Sequence, residues 1–257
     1  MTSISRFVRR FIYFLAFIII IGAIGFGIYR ILYPPQPIPT PGPMLDPIEV
    51  ISTDVIEVKE NDYDFVVQVR NPNPNFGSPD VRYEIYFFDE NDTKLSTHSG
   101  DFYILPSQKK YIVRTGLPSS SAISRVEFKI IRADWQQLDE LGSQGVSLVM
   151  TRSGYYQSGE SSVFGVAEGR IFNDSAFDVA QVDVVILLED NRSQSIAVNK
   201  TAIRTFLSQT TRGFEVQWFD VFEGEVESVY IEANTNIFEN ENFLLSHGGI
   251  ERFQQQF

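Results

Sequence analysis

Along residues 81–88, and again along 182–189, every second residue is apolar. Val81, Tyr83, Ile85 and Phe87 mark the first run, "VRYEIYFFDEND"; Val182, Val184, Ile186 and Leu188 mark the second, "VDVVILLEDNRS". That period places every second side chain on one face of an extended chain, so each run predicts a strand with a buried face and a polar turn after it. The two runs belong to an internal repeat offset by about 100 residues. Upstream, "FVVQVRN" ends at Asn71 and "AEGRIFN" at Asn173; downstream, "ILPSQKKYIV" at 104–113 matches "FLSQTTRGFEV" at 206–216. Fifteen residues separate Tyr111 from Val126, and fifteen separate Phe214 from Val229. Each unit also has an opening strand, "IEVISTDVIEV" from Ile48 and "GVSLVMTRSGYY" from Gly145.

Several short alternating strands in each repeat, punctuated by Asn, Asp, Gly and Pro, predict an all-β fold: two tandem antiparallel sandwiches of the immunoglobulin or fibronectin III kind, over 48–133 and 145–236. A strand that hides one face needs a second sheet to bury it against. Tyr111, Val113, Phe128 and Ile130 are expected to face the first core, and Phe214, Val216, Trp218 and Ile231 the second. Between the domains, "DWQQLDELG" at 134–142 offers the single helical segment outside the N-terminus, capped by Asp134 and ended by Gly142, and 134–144 reads as a hinge. The tail 237–257 mixes polar residues with Phe243, Leu244, Leu245, Phe253 and Phe257, a pattern for packing on the second domain, docking a partner or fraying.

The N-terminus follows a different pattern. From Phe11 to Tyr29 the chain reads "FIYFLAFIIIIGAIGFGIY" without a charge, which as a helix reaches roughly 28 Å, enough to cross a bilayer. Arg6, Arg9 and Arg10 precede it and only Arg30 follows closely, so the positive-inside rule keeps 1–10 in the cytoplasm, makes 11–33 a single-pass signal anchor and sends the rest outside. A cleaved signal peptide is the competing reading, with "AIG" at 23–25 as its cleavage site, but the apolar run exceeds the usual signal core. Ala23 and Gly27 form a small-xxx-small pair, which reads either as ordinary lipid-facing residues or as a surface through which two such helices associate as a homo-oligomer. The segment "PPQPIPTPGPMLDP", 34–47, holds seven of the twelve prolines. It reads as an extended stalk.

Net charge is −12, and the positive-inside reading leaves −16 outside the membrane once the four arginines of the first 33 residues are set aside. Such a surface repels nucleic acid and anionic headgroups, which removes both as partners. Cysteine is absent, excluding disulfides, thiolate nucleophiles and cysteine-based zinc sites.

Little chemistry is expected. The two histidines, His98 and His247, lie in separate segments with no nucleophile or orienting group in pattern, and no phosphate loop or dinucleotide fingerprint occurs. Neither a cofactor nor a metal is predicted. The richest oxygen cluster, Asp89 to Thr93, recurs as Glu189 to Ser193, but its spacing is that of a hairpin turn rather than a calcium loop. Asn91-Asp92-Thr93 and Asn199-Lys200-Thr201 match the glycosylation acceptor pattern. In "VVQVRNPNPNFGS", 66–78, prolines force Asn71 and Asn73 out of the helical region while asparagine side chains bond their own backbone, so the string stops a strand and turns it. The loop residues offered to a partner are therefore Asn71, Asn73, Asn75, Asp89, Asn91, Asp92, Asp190 and Asn191.

At these residues the first unit, "VQVRNPNPNFGSPDVRYEIYF", resembles the type-2 late-embryogenesis-abundant proteins with their water-stress (WHy) domain. The second, "GRIFNDSAFDVAQVDVVILLEDNRSQSIAVNKTAI", resembles the bacterial FxLYD domain of envelope proteins, although Glu189 and Asp190 stand where that pattern has Tyr-Asp, and the Asn-Pro-Asn string is missing. The resemblance implies an immunoglobulin-like sandwich and no catalytic residues. The expected function is a non-catalytic, membrane-anchored extracytoplasmic scaffold with a protein partner in the cell envelope. Two alternatives stand beside it: a carbohydrate-active enzyme using paired carboxylates, and a carrier or protectant for apolar or desiccation-prone molecules.

Overall fold

The computed structural model describes residues 3–33, 44–138, 146–159 and 162–240. The chain divides into two units, Met1–Met44 and Leu45–Phe257. The first is one helix, α1 (Ser3–Leu32), whose span Arg10–Arg30 has a mean hydropathy of 2.6 and no buried residue. It is long and apolar enough to cross a membrane.

The second unit is all-β. Six strands build the first sandwich: β1 (Glu49–Lys59), β2 (Asp62–Arg70), β3 (Phe76–Phe88), β4 (Lys94–Ile104), β5 (Lys109–Pro118) and β6 (Arg125–Ala133). A two-residue strand β7 (Gln136–Gln137) follows. Six more build the second: β8 (Leu148–Gln157), β9 (Gly165–Asn173), β10 (Val179–Glu189), β11 (Ser195–Phe206), β12 (Thr211–Trp218) and β13 (Ser228–Asn234). Sheet orders are β1-β2-β5 and β4-β3-β6 in the first, β8-β9-β12 and β11-β10-β13 in the second, all antiparallel. The repeat in sequence is thus a repeat strand by strand.

Alternation supplies the cores. Val81, Tyr83, Ile85 and Phe87 of β3 are buried against Phe65, Val67 and Val69 of β2, with Phe128 stacked on Phe65 at 5.9 Å and beside Tyr83 at 5.1 Å. Val182, Val184, Ile186 and Leu188 of β10 are buried against Ala167, Ile171, Phe214, Val216 and Trp218, and Ile231 packs on them.

One expectation fails by a single residue. Ile112, not Tyr111 or Val113, faces the first core; Tyr111 and Val113 point the other way. Because side chains alternate, a one-residue error in parity exchanges the two faces of a strand. The face they occupy is itself buried. Val66 and Val113 pack against Val185, Leu187 and Val198 of the second sandwich, with Ile56 and Tyr111 at the margin, forming a third core between the sandwiches. The sheets are therefore stacked in four layers, β4-β3-β6, β1-β2-β5, β11-β10-β13 and β12-β9-β8. Tyr111 and Tyr230 meet edge to face across the junction at 5.3 Å.

The segment expected to be helical is not helical where it is described. Gln136 and Gln137 pair with Gly77 and Phe76, and Leu138 donates its N–H to the Asn75 carbonyl at 2.9 Å. An open row of β3 backbone groups captures these residues before Asp134 caps anything. The rest of the proposed hinge, 139–144, lies outside the described residues, as do stalk residues 34–43 and tail residues 241–257. Leu138 is buried with Ile237, which opens a 3-10 turn (Ile237–Glu239) capped by the Asn236 side chain on Phe238 N–H.

Candidate functional site

Asn71 and Asn73 are not presented to a partner. Asn71 is fully buried and donates its amide to the carbonyls of Phe76 (2.6 Å) and Leu105 (2.9 Å), while its Oδ1 accepts from the backbone and side chain of Asn73, both at 3.0 Å. Asn73 in turn holds the backbone of Asp46, accepting from its N–H at 2.9 Å and donating to its carbonyl at 2.8 Å. A buried amide with all its valences used is a structural clasp. The second sandwich repeats it without prolines. Asn173, also fully buried, donates to Phe177 O (2.9 Å) and Phe206 O (3.3 Å) and accepts from Ser175 N–H (3.1 Å) and Oγ (2.6 Å). Of the three asparagines in the first string only Asn75 is exposed.

Of the hairpin residues Asn91, Asp92 and Asn191 are exposed and Asp89 and Asp190 half-buried, and their turns are twins. Asp89 Oδ1 accepts from Asn91 and Thr93 N–H at 2.9 and 2.8 Å; Asp190 Oδ1 accepts from Arg192 and Gln194 N–H at 2.8 and 2.9 Å. These N–H groups favour the charged form and hold the Asp190 carboxyl below its ordinary value. Asp92, with φ of 61°, is bonded by Arg125. Asn91 and Asn191 lie at the exposed tips. The candidates do not share a surface within the first sandwich: Asn75 precedes one end of the 13-residue β3 and Asp89 follows the other, about 40 Å away at about 3.3 Å per residue.

Histidine has a local partner after all. His98 Nε2 and Ser96 Oγ are 3.0 Å apart, brought together by the strand period, and burial lowers the imidazole pKa. Neither residue lines a cavity described here, and the ring packs on Phe87 at 5.0 Å. Among the described residues no three His, Asp or Glu side chains are grouped to hold a metal ion.

The feature that composition and periodicity did not reveal is a cleft of about 800 Å³ where β4 and β5 of the first sandwich meet β10, β11 and residues 235–240 of the second. Lys110 stands in it, 7 % exposed, donating to the Tyr103 carbonyl at 3.1 Å with its ammonium over the Tyr103 ring. Burial pulls its pKa down to about 8, against the opposing pull of Asp183 and Glu232. Glu232 accepts from Tyr111 N–H at 3.1 Å and from Asn234 Nδ2 at 2.6 Å, and burial pushes its pKa up to about 7. Gln108 Nε2 adds a bond to Asn234 Oδ1 at 2.9 Å. Tyr103 is buried, and its pKa is raised by burial, by the field of Asp183, Glu232 and Glu239 and by the Asp183 carboxylate beside its hydroxyl. The one sequence signal was the pair Lys109-Lys110 inside a strand, where consecutive side chains take opposite faces and one lysine is turned inward.

Comparison of the chain with protein-family models and with curated proteins gave no match.

Proposed function

We propose that the protein is a non-catalytic scaffold anchored in the cell membrane by α1, with its N-terminus in the cytoplasm and its stacked sandwiches outside, where exposed loops and sheet edges meet a protein partner of the envelope. The observation that carries this reading is the third core: two repeated modules are joined face to face through Val66, Val113, Val185, Leu187 and Val198 into one body whose exposed turns are held in fixed register. The apolar span, the arginine asymmetry around it and the likeness of the repeats to WHy and FxLYD domains support the same reading.

The two alternatives have less behind them. The carboxylates raised most in pKa are Glu232, to about 7, and Asp64, to about 6. Glu232 bonds Tyr111, which pairs with Gln68, four residues along β2 from Asp64. That is about 13 Å of strand, beyond the spacing of about 5 to 9.5 Å that glycosidic cleavage uses. A carrier needs room between its sheets, and Phe65, Tyr83, Phe87 and Phe206 fill those interiors.

Because the chain has no cysteine, topology is testable with single substitutions. Asn91→Cys on intact cells is expected to react with a membrane-impermeant maleimide and Ser3→Cys only after lysis. Mild crosslinking of membranes carrying the full chain should then enrich one envelope protein. Reversed labelling, or no enriched partner, ends the proposal.

A further inference from the structure

Six charged side chains line the cleft between the sandwiches, the cations Lys110, Lys200 and Arg204 and the carboxylates Asp101, Asp183 and Glu239, with Asp183 near enough to act on both Lys110 and Lys200. No two of them lie within ion-pair distance, and none of the three cations has a carboxylate partner among the described residues. Opposite charges sharing an open cleft without an ion pair leave both signs open to a guest, although Asp183 already accepts from Gln181 Nε2 at 2.7 Å. The deepest of the six, Lys110, is 7 % exposed and spends one N–H on the Tyr103 carbonyl. A buried ammonium without an ionic partner is costly, and a guest carboxylate would relieve that cost.

The same cleft is poorly suited to a simple ion. A lone anion meets Asp183 in the cleft wall, and the field of Glu232 also reaches Lys110, inside a chain of net charge −12. A lone cation meets Lys110 itself. A molecule that carries both charges satisfies both sets and adds no net charge. At about 800 Å³ the space suits a small molecule, a junction between domains is a common place for one, and Tyr111 and Val185 supply apolar wall.

We propose that this cleft binds a small zwitterion, a molecule with an ammonium and a carboxylate close together, the carboxylate facing Lys110, Lys200 and Arg204 and the ammonium facing Asp101, Asp183 and Glu239. The inference does not depend on the scaffold reading, since it concerns one cleft and not topology or partners.

The test is calorimetric titration of the full chain in detergent micelles. Leucine represents a free amino acid and glycine betaine a quaternary zwitterion; 4-methylpentanoate and 3-methylbutylamine each keep the leucine skeleton with one charge removed. At least one zwitterion is expected to bind with Kd of about 1 mM or tighter, and about tenfold tighter than either single-charge probe. Lys200→Gln and Arg204→Gln, at exposed positions that leave the cores intact, should each weaken it about tenfold, while Lys129→Gln on the far sheet should not. Absence of heat with both zwitterions overturns the proposal, and so does equal affinity for the single-charge probes or no effect of the cleft substitutions.

Discussion

Glu232 of the second sandwich accepts the backbone N–H of Tyr111 of the first at 3.1 Å, so a carboxylate with a displaced pKa is built into the seam between the modules. Its folded value of about 7 lies above the ordinary 4.5. Through that window the folded protein keeps a proton that the unfolded chain has released. The stability it contributes is therefore complete below pH 4.5 and lost as pH rises through 7. A displacement of this size corresponds to about 3 kcal/mol. Asp64, raised from 3.8 to about 6, acts in the same direction and is lost as pH rises through 6. Lys110, lowered from 10.5 to about 8, acts in a separate window, where stability climbs as pH passes from 8 to 10.5. Melting the wild type from pH 4.5 to 8 should show a falling midpoint, and Glu232→Gln should flatten the part above pH 6. Parallel curves for the two would contradict the assignment.

Asn71→Ala and Asn173→Ala should each destabilise their own sandwich by about 2 to 4 kcal/mol, because each takes a buried donor away from two carbonyls and unties a neighbour. Asn71→Asp should be nearly as harmful, since a carboxylate offers no donors to Phe76 and Leu105. With separate partners the two alanine changes should add. Urea denaturation of the single and double variants measures this; a midpoint unmoved by Asn71→Ala would mean that the clasp carries no stability.

The same residues illustrate what the sequence made legible. The period of two located β3 and β10 and the core side chains Val81 to Phe87 and Val182 to Leu188, while on β5 it named Tyr111 and Val113 where Ile112 faces inward. The Asn-Pro-Asn string reads as a surface turn because asparagine and proline are turn residues, yet Asn71 is wholly buried. The internal repeat held the clue: Asn173 recurs where the prolines do not, so the asparagine rather than the string is the shared requirement. The four-layer stack was written in the runs Phe65-Val66-Val67 and Val184 to Leu188, whose continuous apolarity is the mark of strands covered on both faces. Searching only for alternation hides such runs. The cleft had no comparable signature, because its charges come from strands far apart in sequence and meet only through the stacking.

Gly77 fixes where the chain after β13 rests against the first sandwich. A Cβ there would lie 2.8 Å from the Ile104 carbonyl oxygen and 2.8 Å from Phe238 Cζ, with Pro106 Cδ at 3.0 Å. The carbonyl belongs to a paired strand and cannot swing aside, so Gly77→Ala should cost about 1 to 3 kcal/mol through overpacking. Gly154→Ala, with nothing within 4 Å, is the matched control and should be close to neutral. Thermal melts of the pair decide it, and equal midpoints would remove the close approach.

Leu187 tests the stack itself. It is fully buried, yet it points away from the core of its own sandwich and into the junction with Val66 and Val113. Leu187→Asp would place an unpaired carboxylate in that third core while leaving Ile186 and Leu188, which fill the second sandwich, untouched. The sandwiches should then separate without either unfolding. Small-angle scattering of the detergent-solubilised full chain should show a larger radius of gyration with β-sheet circular dichroism retained, and denaturation should split into two transitions where the wild type has one. Leu187→Ala, which only opens a cavity, should lower the single midpoint by about 2 to 5 kcal/mol in stability and keep the stack closed. If Leu187→Asp instead loses all sheet signal at once, the sandwiches are not separable folding units and the junction is as integral to each as its own core.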